Sequence, residues 1–151
     1  MRSDFEQRLH QINWAAYETA YGQANNIPME LARLAGDDHD AAMDASHQLW
    51  CGLCHQHAYI SSAALPAYPF IVEVLDTAND ELAVEILDIL TGFAFRSTRG
   101  PDGSSPVEWE CNLRKQLRDQ LPQFQALAKH HNVDVADFAK KIVENLTQYV
   151  E

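Results

Sequence analysis

The sequence predicts a single all-α domain made of stacked helix pairs, and three observations carry that expectation. Apolar residues recur at spacings of three and four almost throughout, as in Leu82, Ile86, Ile89 and Leu90, in Leu113, Leu117 and Leu121, and in Phe138, Ile142, Val143 and Leu146. No segment alternates with a two-residue period between hairpin turn pairs, so no sheet is expected. A step of 41 residues carries Pro28 to Pro69, Leu31 to Val72, Leu34 to Leu75, Asp38 to Asn79, Ala42 to Ala83, Ala45 to Ile86 and Leu49 to Leu90. One helix pair cannot bury its apolar face alone, so units repeating at about 40 residues stack and share a core, in the HEAT-type manner.

The helices expected in chain order are 3–11, 13–23, 28–35, 38–54, 61–66, 68–77, 80–95, 106–120, 122–130 and 134–149. Ser3, Asn13, Asp38, Asn79 and Asp134 each offer a side-chain oxygen to the free amides of a first turn. Pro28, Pro69 and Pro122 suit first-turn positions, where the missing amide is not needed. Residues 1–23 then form N-terminal cap helices. The two units, 28–54 and 68–95, each comprise a proline-started short helix, a polar turn and a longer helix. The stretch 96–106, rich in glycine, serine and proline, reads as a surface loop. Residues 107–151 hold a degenerate third unit, where Leu113 falls 41 after Val72, and a C-terminal cap.

At 151 residues the chain is one domain in length. It is long enough to bury about two thirds of its unfolded surface without a disulfide or metal. The longest apolar stretch, 63–72, is too short to cross a membrane and contains two prolines. Residues 1–6 carry no hydrophobic signal region, so a cytoplasmic location is expected, with Cys51, Cys54 and Cys111 as reduced thiols.

Charge is the strongest functional clue. The net charge is −11. Residues 1–95 hold 14 acids and three basic residues, whereas 96–151 hold eight of each. Between Leu34 and Phe95 there are ten acids and no Lys or Arg. Asp40 and Asp44 lie one helical turn apart, and the 41-residue step turns them into Glu81 and Glu85. Stacked units would set the four side by side as an acidic ridge, extended by Asp37 and Asp88. Such a ridge repels nucleic acid and anionic membrane and attracts a basic protein. Tyr59 and Trp50 are the nearby aromatic candidates for an apolar anchor, with Trp50 also suited to the core beside Leu49 and Leu53.

Other chemistry finds less support. Cys51-Gly52-Leu53-Cys54-His55 has the spacing of covalent haem attachment, but that chemistry belongs to exported chains. His47, Cys51 and Cys54 share a helical face, followed by His55 and His57. Structural zinc sites draw ligand pairs from separate elements, and neither Cys111 nor His130-His131 has a partner signal. No metal or cofactor is therefore expected, and His55-Gln56 reads as a hydrogen-bonding tie for the inter-unit loop. Ser61-Ser62 and Ser104-Ser105 lack a nucleophile elbow, and Cys54 and His55, adjacent on a helix, point apart. No catalysis is expected.

A further set of residues carries a resemblance: Trp14, Tyr21-Gly22-x-Ala24, Ile27-Pro28-x-x-Leu31-x-x-Leu34, Ala45 to Leu49, His55-Gln56 and Pro69-Phe70. Across about residues 14–90 the chain resembles a group of small bacterial HEAT-like repeat proteins. Where that group has glycine after His-Gln, this chain has His57. Some small bacterial helical-repeat proteins are immunity proteins against secreted toxins. The role implied here is a non-catalytic immunity protein that neutralises a cationic toxin domain, such as a nuclease, through the acidic ridge. The alternatives are an adaptor that holds a peptide or subunit in a helical groove and, last, a metal- or thiol-dependent enzyme using 47–57.

Overall fold

The computed structural model describes residues 2–98 and 106–148. In chain order these form α1 (Arg2–His10), a 3-10 turn (Trp14–Ala16), β1 (Glu18–Thr19) and β2 (Gly22–Gln23), then α2 (Ile27–Leu34), α3 (His39–Cys54), a second 3-10 turn (His55–His57), α4 (Ala64–Leu75) and α5 (Asp80–Arg96). After them come α6 (Glu108–Asp119), α7 (Leu121–Leu127) and α8 (Val133–Gln148). The domain is all-α, with one core. Leu31, Leu34, Leu49, Leu53, Ile71, Ile86, Leu87, Phe93 and Phe124 are almost wholly buried in it. Each such side chain contributes roughly 1.5–3 kcal/mol by leaving water. Among the described residues, no helix is long and apolar enough to cross a membrane.

The 41-residue register is visible in burial and capping. Leu31 and Val72, Leu34 and Leu75, Ala42 and Ala83, Ala45 and Ile86, and Leu49 and Leu90 are all buried. Asp38 Oδ1 accepts from the Ala41 amide at 3.1 Å, and Asn79 Oδ1 from the Leu82 amide at 2.9 Å. No strand interrupts 28–54 or 68–95. Helices α3 and α5 run side by side in the same sense: His39 meets Glu81 near their starts, and Cys54 meets Gly92 towards their ends.

The expected helix 13–23 is absent. A 3-10 turn and a two-stranded ribbon replace it, with Glu18 opposite Gln23 and Thr19 opposite Gly22. Gly22 has φ +121°, a conformation closed to most side chains, which ends any helix there. The Thr19 hydroxyl accepts from the Tyr21 amide and donates to the Gly22 carbonyl, closing the turn. The ribbon ties distant segments together. The Ala20 amide donates to the Gly52 carbonyl at 2.8 Å, and the Glu18 carbonyl accepts from the Ala63 amide at 3.0 Å.

Pro69 does not begin a helix. It is exposed inside α4, which starts at Ala64 and joins the expected helices 61–66 and 68–77. Ala63, Ala64 and Ala67 are fully buried, and packing of these small residues carries the helix upstream past the proline. Pro28 and Pro122 do occupy first turns. Ser3 and Asp134 lie inside α1 and α8 rather than capping them, and Asn13 makes no side-chain cap bond. Asn132 caps α8, its Oδ1 accepting from the Asp134 and Val135 amides. Of the expected loop 96–106, Arg96 belongs to α5 and 99–105 lie outside the described residues.

The C-terminal helices are joined by a buried cation. Arg114 of α6 is 1% exposed. Its Nη1 donates to the Ala94 carbonyl (2.9 Å), Ser97 Oγ (3.3 Å) and Asn145 Oδ1 (2.9 Å), and its Nη2 to the Asn145 carbonyl (2.9 Å). One guanidinium thus fastens the end of α5 to α8. Glu110, also buried, lies one turn earlier on the same face of α6 and accepts from the Val107 amide.

Candidate functional site

The most unusual backbone in the chain follows α3. His55, Gln56 and His57 have φ of +39°, +56° and +72°, three successive non-glycine residues in left-handed space. Each costs about 1–2 kcal/mol for the clash between Cβ and the next carbonyl. Side chains hold the turn in place. His57 Nε2 lies 2.8 Å from both the Asp88 carboxylate and the Asp88 carbonyl, and Arg96 Nε donates to the His57 carbonyl at 2.6 Å. The tie to α5 is therefore made by His57, not by His55-Gln56. Gly92 on α5 makes room: a Cβ there would sit 2.8 Å from His57 Cδ2 and 3.0 Å from Cys54 Sγ.

Backbone strain without side-chain function at Gln56 sets up one expected result. Gln56 is exposed, and its side chain makes no hydrogen bond among the described residues. Gln56→Gly should stabilise the fold by about 0.5–1 kcal/mol in urea unfolding, the relieved strain exceeding the extra chain entropy of glycine.

Aromatic and imidazole rings gather around this turn. His55 lies against Tyr59 at 4.9 Å with the rings tilted by 31°, and meets Tyr21 edge-on at 6.1 Å. Trp50 contacts His47 at 5.7 Å and His57 at 6.2 Å. Tyr59 and Trp50 are half-buried, whereas Tyr21 is 70% exposed, so Tyr21 is the aromatic that solvent reaches.

Along the neighbouring seam, α3 and α5 bring the acidic residues together. Asp40 and Asp44 are exposed on α3, Glu81 is exposed on α5, and Glu85 and Asp88 are half-buried there. Burial, with Asp88 and Glu81 nearby, pushes the Glu85 carboxyl up, and His47 partly offsets this. Asp37 lies in the exposed turn before α3.

The seam is not a bare acidic strip. Arg33, one residue before the stretch free of Lys and Arg, reaches Asp44 at 2.8 Å, with a second bond to Glu30 at 2.7 Å. This pair holds the Asp44 carboxyl below its usual range. His39 Nε2 lies 2.5 Å from Glu81 Oε1, and His57 holds Asp88. Two histidines, His39 and His57, are thus paired with the acids. Among the described residues, Asp40 and Glu85 form no ion pair.

The motif Cys51-x-x-Cys54-His55 diverges in space. Cys51 Sγ lies 3.7 Å from His47 Nε2, whereas Cys54 turns inward, its Sγ 3.3 Å from the Trp50 carbonyl. Burial pushes the Cys54 thiol up to about 12, so it offers no nucleophilic thiolate near neutral pH. Cys51, Cys54 and Cys111 are free thiols, and Cys111 is exposed.

Elsewhere the fold supplies His130-His131 with a partner. Asp80, the first residue of α5, places Oδ2 3.1 Å from His131 Nε2 and Oδ1 3.7 Å from His130 Nε2. Among the described residues, this is the group of three potential metal ligands that converges, all within 4.8 Å of one another. No local spacing announces it, because Asp80 precedes the histidines by about 50 residues.

No protein family, no curated protein and no solved structure matches this chain.

Proposed function

We propose that the chain is a cytoplasmic, non-catalytic binding protein, a HEAT-like stack that docks a basic protein through the α3–α5 seam. The role it fits best is an immunity protein that neutralises a cationic toxin domain, such as a nuclease. The observation that carries this reading is the gathering of Asp40, Asp44, Glu81, Glu85 and Asp88 along two adjacent helices, with Asp40 and Glu85 in no ion pair among the described residues. Nucleases hold phosphate in basic clefts, and an acidic face occupies such a cleft and excludes substrate. Tyr21, exposed beside Cys51 and the His55 turn, supplies an aromatic anchor next to these charges.

The test uses the basic toxin domain encoded beside this gene, and the absence of such a gene weighs against immunity. Reversing Asp40, Asp44, Glu81 and Glu85 to Lys moves the formal charge from −11 by eight positive units. Stopped-flow association at low salt should slow by on the order of tenfold, and its salt dependence should flatten. Asp40, Asp44 and Glu81 are exposed and Glu85 is half-buried at the helix surface, so the helical circular dichroism should persist. Coincident rate curves for wild type and variant would sink docking through the seam.

A further inference from the structure

We propose that Asp80, His130 and His131 bind one zinc ion at the protein surface. The ligands come from separate elements: the first residue of α5 supplies the carboxylate, and the link between α7 and α8 supplies two imidazoles. Zinc bonds of 2.0–2.1 Å at tetrahedral angles place neighbouring ligand atoms about 3.3 Å apart. The Asp80–His131 and Asp80–His130 separations, 3.1 and 3.7 Å, bracket that value. The two rings are stacked, with centroids 4.2 Å apart and planes 28° from parallel, and the ligand atoms of the three side chains lie within 4.8 Å of one another. Two imidazoles and one carboxylate favour zinc and its neighbours over magnesium or calcium, which prefer oxygen alone.

Three protein ligands leave the remaining position to water. His131 is mostly exposed, so that position faces outward. One rearrangement accompanies binding. The Asn132 amide donates to His130 Nδ1 at 3.0 Å, which leaves the neutral ring's proton on Nε2. Zinc takes Nε2, so the proton moves to Nδ1 and the Asn132 amide gives up that acceptor. The ring stays neutral. This exchange and the exposed setting weaken the affinity. Bound zinc also fixes the start of α5 to the start of α8, so it stabilises the folded chain by mass action.

The experiment titrates zinc chloride into the tag-free full chain in a buffer that does not chelate metal, by calorimetry and by elemental analysis after gel filtration. The expected result is one zinc per chain, a Tm that rises with zinc, and faster hydrogen exchange at Asn132. Asp80→Asn and His131→Ala should each weaken binding at least tenfold. His131 is exposed enough for its truncation to leave the fold intact, which circular dichroism checks. Cys51→Ser should bind zinc as wild type does. The proposal is overturned if no stoichiometric zinc binds, if Asp80→Asn and His131→Ala bind it undiminished, or if Cys51→Ser alone abolishes it.

Discussion

Arg114→Ala is expected to destabilise the domain by about 3–5 kcal/mol, a large part of the 5–15 kcal/mol that holds most domains folded. The loss does not come from charge in the ordinary surface sense. Arg114 is 1% exposed, and it donates to groups that have left water, among them the carbonyls of Ala94 and Asn145, the Ser97 hydroxyl and the Asn145 amide oxygen. Removing the guanidinium takes a donor from each of these acceptors, leaving the Ala94 carbonyl only its bond from Ser97 Oγ among the side-chain donors, and opens a cavity between α5, α6 and α8. Lysine is a poor replacement, because an ammonium lacks the planar fork that serves Ala94 and both Asn145 oxygens together. Urea unfolding of the two variants should place both well below wild type. If Arg114→Lys matches wild type, the fork geometry is not what joins these helices.

Gly92→Val should cost about 2–3 kcal/mol. A Cβ at this position already meets His57 Cδ2 at 2.8 Å and Cys54 Sγ at 3.0 Å, and the two methyl groups of valine add to the crowding. Overpacking of this kind costs about 1–3 kcal/mol or more, and the small gain in helix propensity over glycine offsets little of it. The same variant carries a pH signature. The hydrogen bond to Asp88 raises the His57 pKa above its ordinary value of 6.5, despite partial burial. A raised folded pKa contributes stability that is fully present below the unfolded pKa and is lost as pH rises through the folded one. Wild type should therefore lose this contribution as pH rises above about 6.5. In Gly92→Val, where His57 is displaced from Asp88, that pH dependence should flatten, and the ring should titrate by NMR closer to 6.5. An unchanged His57 titration would show that α5 accommodates the side chain without moving the turn.

The helical class was legible because burial on one side of a helix writes itself into the spacing of leucines and isoleucines. The 41-residue step joins positions that are buried alike, and it foretold the cap pair Asp38 and Asn79. It misplaced Pro69, since proline is tolerated at an exposed helix position and does not always mark a start. The ribbon at 18–23 was hidden, because two-residue strands are too short to show alternation. The left-handed turn left one trace: His57 stands where the resembling group has glycine. Arg33 escaped by lying one residue outside the acidic window. The histidines of the seam and the Asp80 cluster depend on tertiary contacts, and no sequence interval encodes those directly.

Because α3 and α5 point the same way with their starts in contact, their peptide dipoles lie parallel, positive end beside positive end. Two such dipoles repel unless negative charge gathers at the shared end. Asp37, Asp38, Asp40, Asp80 and Glu81 stand there, in or just before the first turns. About half of the ten acids between Leu34 and Phe95 therefore serve as counter-charge for the helices themselves. Asp44, Glu85 and Asp88 sit further along the helices, beyond the reach of that field. Asp88 also holds the His57 turn, so Asp44 and Glu85 form the part of the acidic face that neither the helix starts nor that turn requires, and their double reversal separates recognition from helix electrostatics.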